Sequence, residues 1–383
     1  MPDRITEHRR QLHRIPELDF DLPKTRAYVQ TVLSALPCEI IAAGRTGLCA
    51  YFDAGKPDTT AFRSDMDALP IAEESDRDYA STHPGRMHAC GHDGHMAILL
   101  GFAEELSRRA GTLPHNVLLL FQAAEETMGG AQEICDAGVF EKYKVSKIFG
   151  LHLWPGYEKG AVVCRKGAFM AKACVFRIDL FGKSIHAAAA KKGVDALLAG
   201  AHFITEAYKP ERGILPDNDT VGLFKFCMFE SGTATNIVSG HSVLQGTIRC
   251  FEEDVFCRMT EGLRAVATDV ERRFGCRVEI EFVLGCPAVY NDPGLFDRFK
   301  DALCGRATAR LPDGDDGAPF LFTEPPAPTM TSEDFSVYLQ KTPGIFFHLG
   351  LGRNAPLHSC GFDFDESVLP VGVKAFLRLL YAV

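Results

Sequence analysis

No apolar run in these 383 residues approaches the roughly 20 needed to span a bilayer, so no transmembrane helix is expected. Basic charge is not in excess. Lys and Arg number 41 against 50 Asp and Glu, and a formal charge of −9 gives no footing for a nucleic-acid partner. The 13 cysteines are odd in number, scattered, and form no C-x-x-C pair, which fits reduced thiols in a cytoplasm better than a disulfide framework. There is no internal repeat and no low-complexity tract. The opening "MPDRITEHRRQLHRIPEL" is charged and polar, unlike a secretory signal, so a cytoplasmic location is expected. What is present is ordinary globular composition, 46% hydrophobic and 24% charged. The length is large for one core and predicts two domains or an inserted one. The stretch richest in Pro, Asp and Gly, "RLPDGDDGAPFLFTEPPAP" at 310–328, is the expected loose segment.

The first half alternates strand and helix patterns. "TTAFRSDMDALP" runs from a strand into Asp65, Asp67 and Pro70; "HMAILLGFAEELSRR" has helical spacing and stops by Gly111. "HNVLLLFQ", 115–122, and "SKIFGLHLW" are continuous apolar runs of the kind covered on both faces, and "AQEICDAGVF" between them reads as helix. The fold class is α/β, with a mostly parallel sheet and helices on both sides. From residue 170 the pattern changes to alternating strands, "CVFRIDLFG", "TVGLFKFCMFE", "HSVLQGTIRC" and "RVEIEFV". Two helices separate them, "VDALLAGAHFITEAY" and one from an Asp254 N-cap to Gly275. That order is β-α-β-β-α-β, a ferredoxin-like unit. The expected domains are 1–169 and 287–383 for the outer domain, with 170–286 inserted.

Ligand sites in such sheets lie beyond the carboxyl ends of the strands, where four polar clusters fall. "MHACGHDGHM", 87–96, carries Cys90 and His92 around Gly91, which permits a tight turn. "FQAAEET" carries Glu125 and Glu126, which repel unless a cation or a proton compensates. "GLHLWPG" carries His152 and "APLHSCGFDFDE" carries His358. Each cluster alone has a plain reading as a satisfied loop or core residue. Together they offer Cys, His and Glu, a donor set suited to divalent transition metals. A Cys90 nucleophile activated by His92 stays open at this point.

"MHACGHDGHMA", "AAEE", "GLHLWPG", "SEDFSVY" and "PLHSCGFDFDE" closely resemble the dinuclear metallo-amidohydrolases. That family holds aminoacylases, hippurate hydrolases, indole-acetyl-amino-acid hydrolases and N-acetyldiaminopimelate deacetylase, and is related to glutamate carboxypeptidase. The resemblance runs from "HRRQLHRIPELDF" to the last helix, and a cysteine in the first motif marks the amidohydrolase branch. It implies Cys90, His92, Glu126, His152 and His358 as ligands of two divalent ions per subunit, zinc, manganese, nickel or cobalt, with Cys90 bridging as a thiolate. It implies Glu125 as general base. It also implies a homodimer formed through the inserted domain as a lid. His186 in "GKSIHAA" then reaches the neighbouring subunit's site, Asn236 in "GTATNIV" holds the substrate carbonyl and Arg249 in "GTIRC" its carboxylate.

The reaction implied is hydrolysis of N-acyl amino acids to a carboxylate and a free amino acid, with metal-activated water as nucleophile. Rival readings are a dipeptidase or carboxypeptidase with the same parts, a cysteine-nucleophile amidase, and a metal-dependent binding protein without catalysis. His88, Asp93 and His95 are not assigned to metal. Asp93 and Glu333 are expected to orient ligands, with Asp65 and Asp67 as further candidates. Trp154 and Phe169 either line an acyl pocket or simply pack. The chain departs from the family at Ala190 and Lys191, near the lid hinge, and at Cys360, two residues from a ligand position.

Overall fold

The strand Asn116–Gln122 is buried along its whole length. Such a run, without polar alternation, requires a sheet covered on both faces. Thr59–Asp65 lies parallel to it, buried at every residue, followed by Val145–Trp154 and Gly344–Gly350, all in one direction. Antiparallel strands Gly47–Phe52 and Glu39–Ala43 extend one edge. At the other edge Val162–Val163 runs antiparallel to Gly344–Gly350, and Phe322–Thr323 pairs parallel outside it. This eight-stranded sheet is the mostly parallel sheet expected, with antiparallel margins.

The computed structural model describes residues 2–216, 221–306, 315 and 317–383. They fall into two compact units: Met1–Phe169, Val289–Pro326 and Asp334–Val383 form one, and Met170–Ala288 with Ala327–Glu333 the other.

In the first unit the helix His92–Arg108 is buried from His92 to Leu106. Its middle, Met96–Ala103, is wholly apolar or glycine, as an inside helix requires, and the polar side chains at its two ends are buried with it. Its Phe102 ring packs 4.7 Å from Phe62 on the sheet and 5.6 Å from Phe376 on the last helix, Leu369–Ala382. It ends at Arg108, a little before Gly111, which instead lies in the 3-10 turn Ala110–Thr112. "AQEICDAGVF" is broken into Gly130–Asp136 and Val139–Lys142 by Gly138, whose φ of 69° is left-handed. Of the expected loose segment, residues 310–314 and 316 lie outside the described residues, while Phe322–Thr323 is a strand of the sheet.

The second unit is a four-stranded antiparallel sheet. Lys172–Phe181 sits between His241–Cys250 and Arg277–Cys286, and Gly222–Ser231 forms one edge. The helices Ala196–Ala207 and Glu253–Phe274 complete the β-α-β-β-α-β order. Phe176, Ile178 and Leu180 share a core with Val255, Met259, Leu263, Val266 and Val270. Asp195 caps the first helix by accepting the Leu197 and Leu198 N–H groups at 3.0 and 3.1 Å. The second helix begins at Glu253, not beyond an Asp254 cap. The Asp254 carboxylate accepts the adjacent Val255 N–H instead, and the cap position is Glu252. No helix among the described residues is long and apolar enough to cross a membrane.

Candidate metal centre

The central strands of the first unit deliver one polar cluster to their carboxyl ends. Asp65 ends Thr59–Asp65, with Asp67 just beyond; Glu125 and Glu126 follow Asn116–Gln122. His152 lies near the end of Val145–Trp154, and His358 follows Gly344–Gly350. Cys90 and His92 flank Gly91 at the start of the long helix, where a φ of 85° makes the turn. Two non-glycine residues here are also left-handed, Ala124 at φ 51° and His358 at φ 62°. Such backbone persists only where its surroundings hold it, and it gathers at functional sites. The hold is visible: Ala124 N–H donates to Asp19 O at 3.0 Å, and His358 N–H to Ala89 O at 2.8 Å.

Cys90 Sγ stands 3.3 Å from His152 Nε2 and 3.3 Å from His358 Nε2. Potential ligand atoms lie within 4.8 Å of one another in the groups Cys90, His92, His152; Cys90, Glu126, His358; and His92, Glu125, Glu126. Cys90 is common to the first two. The backbone dictates the tautomers. His92 Nδ1 meets Asp67 O at 2.8 Å and His152 Nδ1 meets Leu153 O at 2.8 Å. A carbonyl only accepts, so each Nδ1 carries a proton and Nε2 is the nitrogen each ring turns into the cluster, available as a ligand once it carries none. His92 Nε2 and Glu126 Oε1 are buried there with no hydrogen-bond partner. Orphaned buried groups need an explanation, and a bound ion is a standard one.

The electrostatics show which groups would give up a proton to a bound cation, the thiol of Cys90 and Nε2 of His92. Burial, then the charges of Glu126 and Glu125, push the Cys90 thiol well above its ordinary value. Burial also holds the His152 imidazole well below its ordinary value. Burial lowers His92 too, but Asp65 and Asp67 outweigh it and raise the imidazole to about 10. Burial raises Glu126, yet His358 and His92 bring it below the usual value. Nucleophilic cysteines sit in electropositive surroundings, and Cys90 does not. A divalent cation would supply the missing positive charge and convert the thiol to a thiolate ligand.

Residues 61–382 match the sequence profile of the peptidase family M20/M25/M40. The chain belongs to this family. The M20 chain is 35% identical over 388 residues to an uncharacterised hydrolase of Staphylococcus aureus, covering 98% of this chain and 97% of the relative. It is 33% identical over 379 residues to an N-acetyldiaminopimelate deacetylase of Streptococcus sanguinis, covering 97% and 96%. A dinuclear metal-binding peptidase of the M20 family from Bacillus subtilis superposes with a TM-score of 0.83 at 28% identity, covering 99% of this chain and 97% of that one. The M20 chain is therefore a hydrolase.

Around the M20 cluster, Asp67 has a central place. Its carboxylate accepts the Glu125 N–H at 3.1 Å and the Glu126 N–H at 3.0 Å, while its carbonyl fixes His92. His95 is no ligand candidate, because both nitrogens are used. Leu153 N–H donates to Nε2 at 2.8 Å, so Nδ1 bears the proton and donates to Asp65 Oδ1 at 2.7 Å. Asp93 was expected to orient ligands. Instead it accepts from Arg9 Nε at 2.8 Å and from His13 Nδ1 at 2.7 Å, tying the first helix, Pro2–His13, to the long one. Glu333 is buried and belongs to the second unit. His88 is buried and joins none of the metal-capable groups among the described residues. Trp154 is half-buried and stacks flat on His348 at 4.0 Å, with Phe169 tilted 4.6 Å from the same imidazole, so both do pack.

Sequence reasoning missed the buried network of Arg63, Gln122, Asp334 and Tyr338. Its one local signal is Arg63, a charged side chain within a strand whose other charge is the terminal Asp65, two residues on and so on the same face. In the second unit, His186 and Asn236 are exposed and adjacent: Ala187 N–H donates to Asn236 O at 2.8 Å, and Ile237 pairs with His186. Arg249 lies apart from them, near the other end of His241–Cys250, with its guanidinium donating to Thr247 Oγ1 and to Ile248 O.

Proposed function

We propose that this M20 hydrolase cleaves the amide bond of N-acyl amino acids, releasing a carboxylate and a free amino acid. Cys90, His92, Glu126, His152 and His358 would hold two divalent ions, drawn from zinc, manganese, nickel or cobalt. The carrying observation is the position of Cys90 Sγ, 3.3 Å from two imidazole nitrogens and shared by two metal-capable groups, so that its thiolate would help to hold the ions. When bound, the ions supply Lewis acidity, which acidifies water and polarises a carbonyl.

The chain's residues do the rest. Glu125 is buried, held by its backbone N–H on Asp67, and is grouped with His92 and Glu126. It takes a proton from the attacking water and returns it to the leaving amine. His92 and His152 present Nε2 because the backbone holds Nδ1–H. His186 and Asn236 serve the developing oxyanion, with His186 acting on the site of a partner subunit in a homodimer. Arg249 pairs with the substrate carboxylate. The similarity to a deacetylase of an amino acid favours this substrate class. The similarity to a solved M20 peptidase favours a second reading, hydrolysis of dipeptides.

The test is a side-by-side assay of acetyl-, benzoyl- and fatty-acyl-amino acids and dipeptides. It is run before and after EDTA and again after zinc, manganese or cobalt is restored. Acyl-amino acids turning over best, only with metal, is the expected result. Preference for dipeptides moves the assignment to the second reading. Turnover by chelated enzyme that iodoacetamide abolishes would establish a cysteine nucleophile.

A further inference from the structure

Asp65 belongs to no ligand set considered so far, yet it stands where a ligand would stand. Two donors of one tetrahedral ion, each bonded at about 2.0–2.1 Å, are about 3.4 Å apart. Asp65 Oδ2 is 3.7 Å from His92 Nε2, the nitrogen turned into the cluster without a hydrogen-bond partner. Asp65, His92 and His95 form a metal-capable group of their own, and His95 is already used at both nitrogens.

That same Oδ2 accepts Arg63 Nη1–H at 2.7 Å, while Oδ1 accepts His95 Nδ1–H at 2.7 Å. Arg63 is fully buried and anchored elsewhere. Its Nε donates to Gln122 Oε1 at 2.9 Å and its Nη2 to Asp334 Oδ1 at 3.1 Å. Gln122 is in turn held by Tyr338 Oη at 2.9 Å and donates to both oxygens of Asp334. A fixed guanidinium bonded to an oxygen repels a divalent ion that approaches the same oxygen.

We propose that Arg63 withholds Asp65 from the metal centre, so that the five-residue set with its thiolate decides which ion is preferred. Released, Asp65 would add a hard oxygen donor beside His92 and shift preference from zinc toward manganese, since carboxylates suit the harder ion. The proposal rests on the two-ion reading above.

Metal analysis and chelator competition test it without any activity measurement. Wild-type protein, stripped and reloaded with zinc or manganese, should hold two ions per chain; fewer than two overturns the parent reading and this one with it. With two ions in the wild type, Arg63→Gln should raise the manganese-to-zinc affinity ratio about tenfold or more, the scale of effects from residues behind the ligands. Arg63→Gln/Asp65→Asn should return the ratio to near the wild-type value. An unchanged ratio in folded Arg63→Gln, or a raised ratio that persists in the double variant, overturns the proposal. If Arg63→Gln does not fold, Asp65→Asn alone decides. The wild-type ratio and two ions support the withheld carboxylate, whereas a lost ion or a fall in the ratio shows that Asp65 already ligates.

Discussion

Replacing Asp67 by Asn should disable the hydrolase without touching any proposed ligand or the base. The Asp67 carboxylate is buried and spans two backbone donors, Glu125 N–H at 3.1 Å and Glu126 N–H at 3.0 Å. An amide offers one acceptor oxygen, so one N–H loses its partner and faces an NH₂ group. A hydrogen bond to a charged group contributes about 1.5–3 kcal/mol net, and a stranded buried donor costs about 1–3 kcal/mol. The lower ends sum to about 2.5 kcal/mol, close to two powers of ten at 1.36 kcal/mol each. The segment that relaxes follows Ala124, whose left-handed φ of 51° is held by its N–H on Asp19 O on one side and by the Asp67 carboxylate on the next residue's N–H on the other. Glu125 and Glu126 then swing together. The expected result is a kcat/KM lowered about 30–100-fold and ion affinity weakened about 10–100-fold, read by steady-state kinetics and chelator competition. Both quantities within about threefold of wild type, in folded protein, would refute the view that this carboxylate places the Glu pair.

Glu125→Gln should keep its ions and lose turnover by about 10²–10⁴, because an amide cannot accept the proton of water; turnover within tenfold of wild type sinks the assignment. His186→Ala mixed with Glu125→Gln under subunit exchange should recover roughly a quarter of wild-type activity, since about half the dimers are mixed and each has one complete site. No recovery despite proven exchange means that His186 serves its own chain or nothing. Arg9→Met removes the cation shared by Asp93, Asp363 and Glu366 and should destabilise the first unit by about 3–5 kcal/mol in urea unfolding. A loss under about 1 kcal/mol would show that these carboxylates find other partners.

Three central strands of the large sheet were legible because burial on both faces leaves unbroken apolar runs such as "HNVLLLFQ", and those of the second unit because they alternate, whereas Gly344–Gly350 and the antiparallel edge strands were not read. Cys90, His92, the Glu pair, His152 and His358 stood out because polar residues follow those runs, where chain direction puts them on one edge. The supporting shell was far less legible. The dual use of His95 depends on the Leu153 N–H, 58 residues away, and Arg63 meets Asp334 across 271 residues. No local pattern encodes such meetings. Asp93 misled for the converse reason. Next to His92 in sequence, it points toward the first helix, because neighbouring helical positions face about 100° apart. Helix ends shifted where local bonds decided them, as at Asp254 and at Gly138.

The spacing of the cluster along the chain has a consequence for how the enzyme is made. Cys90, His92, Glu126 and His152 leave the ribosome together, and His358 follows roughly 200 residues later, after the whole second unit. At about 5–20 residues per second that interval is about 10–40 s. On the proposed ligand assignment, a nascent chain passes through a stage with four of five donors in place and one corner open. That corner is the half-exposed, left-handed His358. Ions taken up early would be exchangeable until the C-terminal strand and its loop dock. The preference of the complete five-residue set would then act on the ions present at the end of synthesis, not at its beginning.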